Sequence, residues 1–167
     1  MKKHYILLLL SLLIGLFIYL FFRTEKTVIN ELVINIISLE NYLNIKKWIL
    51  AHIVLNNHII YSLPEGLWVF CISVTSKNLF IRVRDLTIQC IYIPLVFAIG
   101  LELFQLVHIT KGRFDIWDIL FSLLFWLVAN YLLKYSSEKQ HIIKPFNQRS
   151  MICILSYAIV YLAHVWE

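Results

Sequence analysis

Long apolar runs separated by short polar breaks set the plan of this chain. Tyr5–Phe22 carries no charge over eighteen residues and follows Lys2 and Lys3. At about 1.5 Å per residue that is long enough to cross a bilayer core. A cleaved signal peptide would have a shorter core and a small-residue cleavage site. Here the run ends in Phe21, Phe22 and Arg23, which predicts a retained first crossing. "YSLPEGLWVFCISVTSKNLF" predicts a second, from Pro64 to about Phe80. Ser62 and Glu65 have the spacing of a capping box, Pro64 suits a first helical turn, and Lys77 is placed to snorkel.

"VRDLTIQCIYIPLVFAIGLELFQLVHI" predicts a third crossing from about Leu86 to Val107, bent at Pro94. Trp117–Leu133 and Ser150 to about Trp166 predict a fourth and a fifth. Residues 24–61 differ, because Glu25, Lys26, Glu31, Glu40, Lys46 and Lys47 sit among aliphatic residues. Ile29, Leu32, Val33 and Ile36 have helical spacing, and His52, Asn56, Asn57 and His58 interrupt the next apolar stretch. That pattern predicts an amphipathic segment lying on the interface.

Composition agrees with this plan. The 167 residues are 60% hydrophobic and 15% charged, with a mean hydropathy of +0.77. A soluble domain of this size seldom needs so much apolar side chain. The expected fold is an all-α integral membrane protein: one domain over 1–167, a bundle of about five transmembrane helices, and an outer interfacial segment at 24–61. The net charge of +5 does not point to nucleic acid, because the basic residues fall in the breaks rather than in one dense run. Lys2, Lys3, Lys77, Arg82, Arg84, Lys134, Lys139, Lys144 and Arg149 fall on one side of the predicted bundle. Arg23, Lys26, Lys46, Lys47, Lys111 and Arg113 fall on the other, spread over more chain. The asymmetry predicts a cytoplasmic N-terminus; the bacterial inner (plasma) membrane is the expected location. Cys71, Cys90 and Cys153 are scattered through apolar runs without a CxxC and are read as small buried hydrophobes.

Against this background the charges of "GLELFQLVHITKGRFDIWDILFSLLFWL" stand out. Glu102 and Gln105 are three apart and share a face near the outer end of the third helix. Gly112 permits a tight turn, and Asp115 and Asp118 frame the start of the fourth helix. If the two helices form an antiparallel hairpin, Glu102, Gln105, Arg113, Asp115 and Asp118 form a polar pocket at the outer boundary. Ser122 and His108 are secondary candidates. A structural account competes with this. Asp115 suits an N-cap with Asp118 at N3, Lys111 and Arg113 suit interfacial anchors, and Glu102 could pair with Arg113. Glu102 lies inside an apolar run, where an acid is a functional-site hypothesis by default. No metal-ligand spacing, phosphate loop or nucleophile motif is present, so neither a metal nor a cofactor is expected. Cation binding by His108 with Asp115 and Asp118 is the weakest of these possibilities.

Glu102-Leu-Phe-Gln105, then Gly112-Arg113, then Phe114-Asp115-Ile-Trp-Asp118 resembles the VanZ-like family of small polytopic membrane proteins. "YSLPEGLWVF" resembles the entry to the second helix in some members, so the likeness covers roughly Tyr61–Leu133. The family takes its name from a protein linked to resistance to the glycopeptide teicoplanin; no reaction is implied by the resemblance. The chain departs from the family pattern at Ser122 and Phe125, where Asn and Gly are usual. Phe125 closes a position where Gly would admit a neighbouring helix. Three readings stay open: an envelope protein binding an anionic or amphiphilic component beside the membrane lipids, an enzyme using Glu102 and Asp118 as acid and base on a lipid-linked substrate, and a structural subunit. Without a nucleophile or metal set, binding is preferred to catalysis. The oligomeric state is left open.

Overall fold

The computed structural model describes residues 2–23, 28–110, 112–132 and 138–164. The fold over these residues is mainly helical. Helix α1 (Lys2–Phe22) is followed by α2 (Val28–Ile37), α3 (Leu39–His52) and α4 (Asn57–Ser76). A hairpin of β1 (Leu79–Val83) and β2 (Leu86–Gln89) leads through a 3-10 turn, Cys90–Tyr92, into α5 (Ile93–Leu106). Helix α6 (Ile116–Leu127) continues as a π turn over Val128–Leu132; β3 (Gln140–His141) and α7 (Gln148–His164) complete the chain. Among the described residues α4 is the one helix both long and apolar enough to cross a membrane, and Ile6–Phe22, Cys90–Leu106 and Ile116–Tyr131 form shorter apolar helices.

Helix α4 is the hub, packed against α1, α5, α6 and α7. Phe70, Cys71 and Val74 bury against Ala129, while Val69 joins Ala98 and Trp126. The Trp126 indole N–H donates to the Ile91 carbonyl at 2.8 Å, which ties α6 to the 3-10 lead-in of α5. Helices α4 and α6 approach closely at Gly66. A Cβ there would meet the Phe125 ring at 2.7 Å and the Phe121 carbonyl oxygen at 3.0 Å. The close packing of α4 on α6 therefore comes from Gly66, and Phe125 fills the space opposite it instead of holding the helices apart. Gly66→Ala should cost roughly 1–3 kcal/mol by overpacking. A clear drop in the detergent melting temperature is expected; an unchanged melt would mean the two helices part without penalty.

Several sequence expectations are corrected. Helix α4 starts at Asn57, capped by the Asn56 side chain accepting from the His58 N–H at 3.2 Å, while Ser62 is buried inside the helix and its hydroxyl makes no capping bond. Ser62 and Glu65 are thus not a capping box, Pro64 lies inside the helix, and residues 57–61 belong to α4 rather than to the interfacial segment. The expected third crossing is a helix only from Cys90. Leu86–Gln89 pairs antiparallel with β1 in the register Ile81↔Ile88, so Pro94 falls in the first turn of α5, where its missing N–H costs no hydrogen bond. The Lys77 ammonium donates to the carbonyls of Ala129 (3.0 Å) and Asn130 (2.6 Å) and so satisfies the π turn. Strand β3 adds to the other edge of β1 in parallel.

The segment after α1 forms two helices rather than one, broken at Ser38, whose φ is 69°. Wholly buried Tyr42 anchors them: its hydroxyl accepts from the Asn30 amide and donates to the Leu20 carbonyl of α1. Glu31 and Glu40 are exposed, as are Leu32, Ile36 and Trp48. Lys111 and Lys134 lie outside the described residues, and with them the anchor expected at Lys111.

Candidate functional site

Four helix ends converge on one cavity of about 860 Å³: the C-terminal end of α1, the first turns of α4, the last turn of α5 and the start of α6. Its walls include Glu102, Gln105, Arg113, Asp115 and Asp118, so all five residues of the pocket expected from sequence do come together. The hairpin of α5 and α6 is held by acidic capping. Asp115 accepts from the Trp117 N–H at 2.9 Å as the N-cap of α6, and its own N–H donates to Glu102 Oε2 at 3.0 Å. Glu102 is thereby fixed with only 3% of its surface exposed. Gln105 lies across Gly112, where φ is +128° and a Cβ would meet the Gln105 amide nitrogen at 2.8 Å. Only glycine fits that turn.

Two residues that the sequence reading placed elsewhere complete the site. Glu65, expected as part of a cap, is two turns inside α4 and faces the cavity. One oxygen each from Glu65, Glu102 and Asp118 lie within 4.8 Å of one another. Arg23, expected only as an orienting charge, closes the α1 side. Its Nε donates to the Ile60 carbonyl at 3.3 Å and Nη2 to the Tyr61 carbonyl at 2.5 Å, and the guanidinium lies 4.3 Å from the centre of the Tyr19 ring. Pro64 explains this. Without an N–H it leaves the Ile60 carbonyl, four residues earlier, with no helical donor, and Arg23 supplies one. The signal was available in "NNHIIYSLPEG": starting the helix at Asn57 puts Pro64 and Glu65 in its interior.

Apart from Ile116 the remaining walls are aromatic. Tyr19, Tyr61, Trp68, Phe114 and Trp117 contribute, with the His58 ring tilted against Trp117 at 4.6 Å between ring centres. Arg113 is exposed at the cavity wall. Among the described residues no ion pair joins it or Arg23 to a carboxylate within 4.0 Å. The structural Glu102–Arg113 pair is therefore not formed. His108, exposed with φ 62°, turns its ring nitrogen to the Leu106 carbonyl and is not a cavity wall, so it does not join Asp115 and Asp118. Ser122 is wholly buried one turn beyond Asp118, outside the cavity, and its hydroxyl has no hydrogen-bond partner.

Comparisons with protein-family models, curated proteins and solved structures find no match to this chain. The VanZ-like resemblance rests on the quoted residues alone.

Proposed function

We propose that the chain is an integral membrane protein with α1, α4, α5, α6 and α7 as its crossings, and that the cavity binds an amphiphile through an anionic headgroup. The observation that carries the binding reading is the pairing of two guanidiniums, Arg23 and Arg113, with a wall of tyrosine and tryptophan rings in one cavity. Guanidinium forks match phosphate and carboxylate, and amphipathic rings suit the boundary where a headgroup meets its chain. The outward faces support a lipid surround: Val96 is 69% and Phe97 60% exposed on α5. Leu120 and Leu124 are exposed on α6, and Ile154 and Leu155 on α7. Such a display is far larger than the isolated apolar residues normal on soluble surfaces. The helical stretches of α5 and α6 with their extensions span about 25 Å at 1.5 Å per residue. That is somewhat short of a bilayer core of about 30 Å, a mismatch that local thinning absorbs at modest cost.

Orientation and binding are tested separately. A reporter fused after Glu167 should lie outside, and one inserted near Lys139 inside. Cysteines at Glu31 and Glu40, in a background lacking Cys71, Cys90 and Cys153, should react with an impermeant thiol reagent. Both reporters on one side would remove the five-crossing reading. For binding, delipidated protein in detergent should take up phosphatidylglycerol in preference to phosphatidylcholine, read by tryptophan fluorescence. Arg113→Gln should lose that preference; equal uptake of the two lipids by the wild type would remove the anionic-headgroup reading.

A further inference from the structure

We propose that Glu65, Glu102 and Asp118 bind a hard divalent cation within this cavity, calcium in preference to magnesium. The three carboxylates come from three different helices, α4, α5 and α6, and each offers one oxygen within 4.8 Å of the others. Calcium takes oxygen ligands at about 2.4 Å, so two oxygens on opposite sides of the ion are about 4.8 Å apart. A set no wider than 4.8 Å is on the scale of a calcium ligand shell, so small side-chain adjustments bring all three oxygens onto one ion. Magnesium demands near-ideal octahedral geometry at about 2.0–2.1 Å and gives up water reluctantly, so it suits an all-protein carboxylate set less well.

A second feature points to the same ligand. Ser62 is wholly buried on α4 and faces Asp118, yet its hydroxyl closes no hydrogen bond of ordinary geometry, and neither does the buried Asp118 Oδ1. Buried oxygens that lack a well-formed hydrogen bond are uncommon in a folded protein. Both are oxygen donors of the kind that fill calcium coordination. No ion pair balances the carboxylates among the described residues, and the one backbone N–H given to Glu102 is a neutral donor. A bound divalent ion would leave the three carboxylates with a single net negative charge. With Asp115 counted, the four carboxylates, the ion and the two guanidiniums of the cavity would sum to zero, so the walls would no longer repel an anionic headgroup. That last consequence rests on the headgroup reading above; the ion site itself does not.

The test uses the full chain in detergent, stripped with a chelator and titrated with calcium, then with magnesium. Terbium serves as a luminescent stand-in, sensitised by the Tyr61, Trp68 and Trp117 rings of the cavity. One saturable calcium site is expected, with a dissociation constant on the order of 10⁻⁴–10⁻³ M, as in extracellular calcium modules, and weaker binding of magnesium. Glu65→Gln and Asp118→Asn should each weaken it at least about tenfold, since affinity follows the charge of the ligand set. Glu40→Gln, which removes an exposed acid outside the cavity, should leave it unchanged. Absence of saturable calcium binding by the wild type up to about 10 mM, well above that range, would overturn the proposal, whether or not the variants fold. Equal affinity in Glu65→Gln and Asp118→Asn would overturn it as well. Phosphatidylglycerol uptake, measured in chelator and again in calcium, separates the two readings. Uptake without any calcium site keeps the headgroup reading and removes this one; a calcium site without uptake does the reverse.

Discussion

Glu102→Gln should leave the protein folded and weaken binding in the cavity at least about tenfold, because affinity follows the charge of the ligand set. Glu102→Ala should do the same and in addition cost about 1–3 kcal/mol of stability. The difference follows from what the carboxylate does locally. Glu102 Oε2 accepts the Asp115 N–H at 3.0 Å, and that N–H precedes the first turn of α6 in a part-buried place. Glutamine keeps an acceptor oxygen for it and alanine does not, so only alanine leaves a donor without a partner. The charge is a separate matter, because Glu102 has no ion pair among the described residues. The double change Glu102→Gln with Arg113→Gln should accordingly be additive in stability to within about 0.5 kcal/mol. Chemical denaturation read by circular dichroism, beside a calcium or lipid titration, measures both quantities. A coupling well above that figure would mean the two residues are paired in solution.

How much of this was legible in the sequence depended on whether the signal was local. The hairpin of α5 and α6 was, because the acid-x-x-acid spacing, Gly112 and an apolar run on each side all lie within thirty residues. Asp115 behaves as the cap its position announced, and α1, α6 and α7 fall close to the apolar runs that predicted them. The β-hairpin was hidden because Leu86–Gln89 is a short stretch of alternating apolar and polar residues joined directly to the apolar start of α5. Periodicity does not separate helix from strand over so few residues. Its pairing with Gln140–His141 spans some sixty residues and leaves no local mark. Glu65 and Arg23 were misassigned for one shared reason: Ser62-Leu-Pro64-Glu65 matches a capping box, and that match drew the helix start away from Asn56. A cap motif is only as good as the burial of its neighbours, and Ser62 is buried among helices.

Arg23→Gln should be the most destabilising single change to the cavity wall, at roughly 2–4 kcal/mol, since hydrogen bonds from a charged donor contribute about 1.5–3 kcal/mol each. Its guanidinium serves two carbonyls and two tyrosine rings at once, and a glutamine amide replaces at most part of one contact. The cause can be isolated through Pro64. Proline leaves the Ile60 carbonyl without a helical donor, so Arg23 is needed there chiefly because residue 64 has no N–H. Pro64→Ala restores that N–H, and Arg23→Gln should then cost less in the Pro64→Ala background than in the wild type, by about 0.5–3 kcal/mol of coupling. The four proteins of the cycle are compared by denaturation in detergent. An equal cost in both backgrounds would show that Arg23 acts through charge, on the neighbouring Glu65 and Asp118 carboxylates, and Glu65→Gln should then be the background that softens its loss. Relief by Pro64→Ala but not by Glu65→Gln would make Arg23 a backbone donor first, with its charge left over for the ligand.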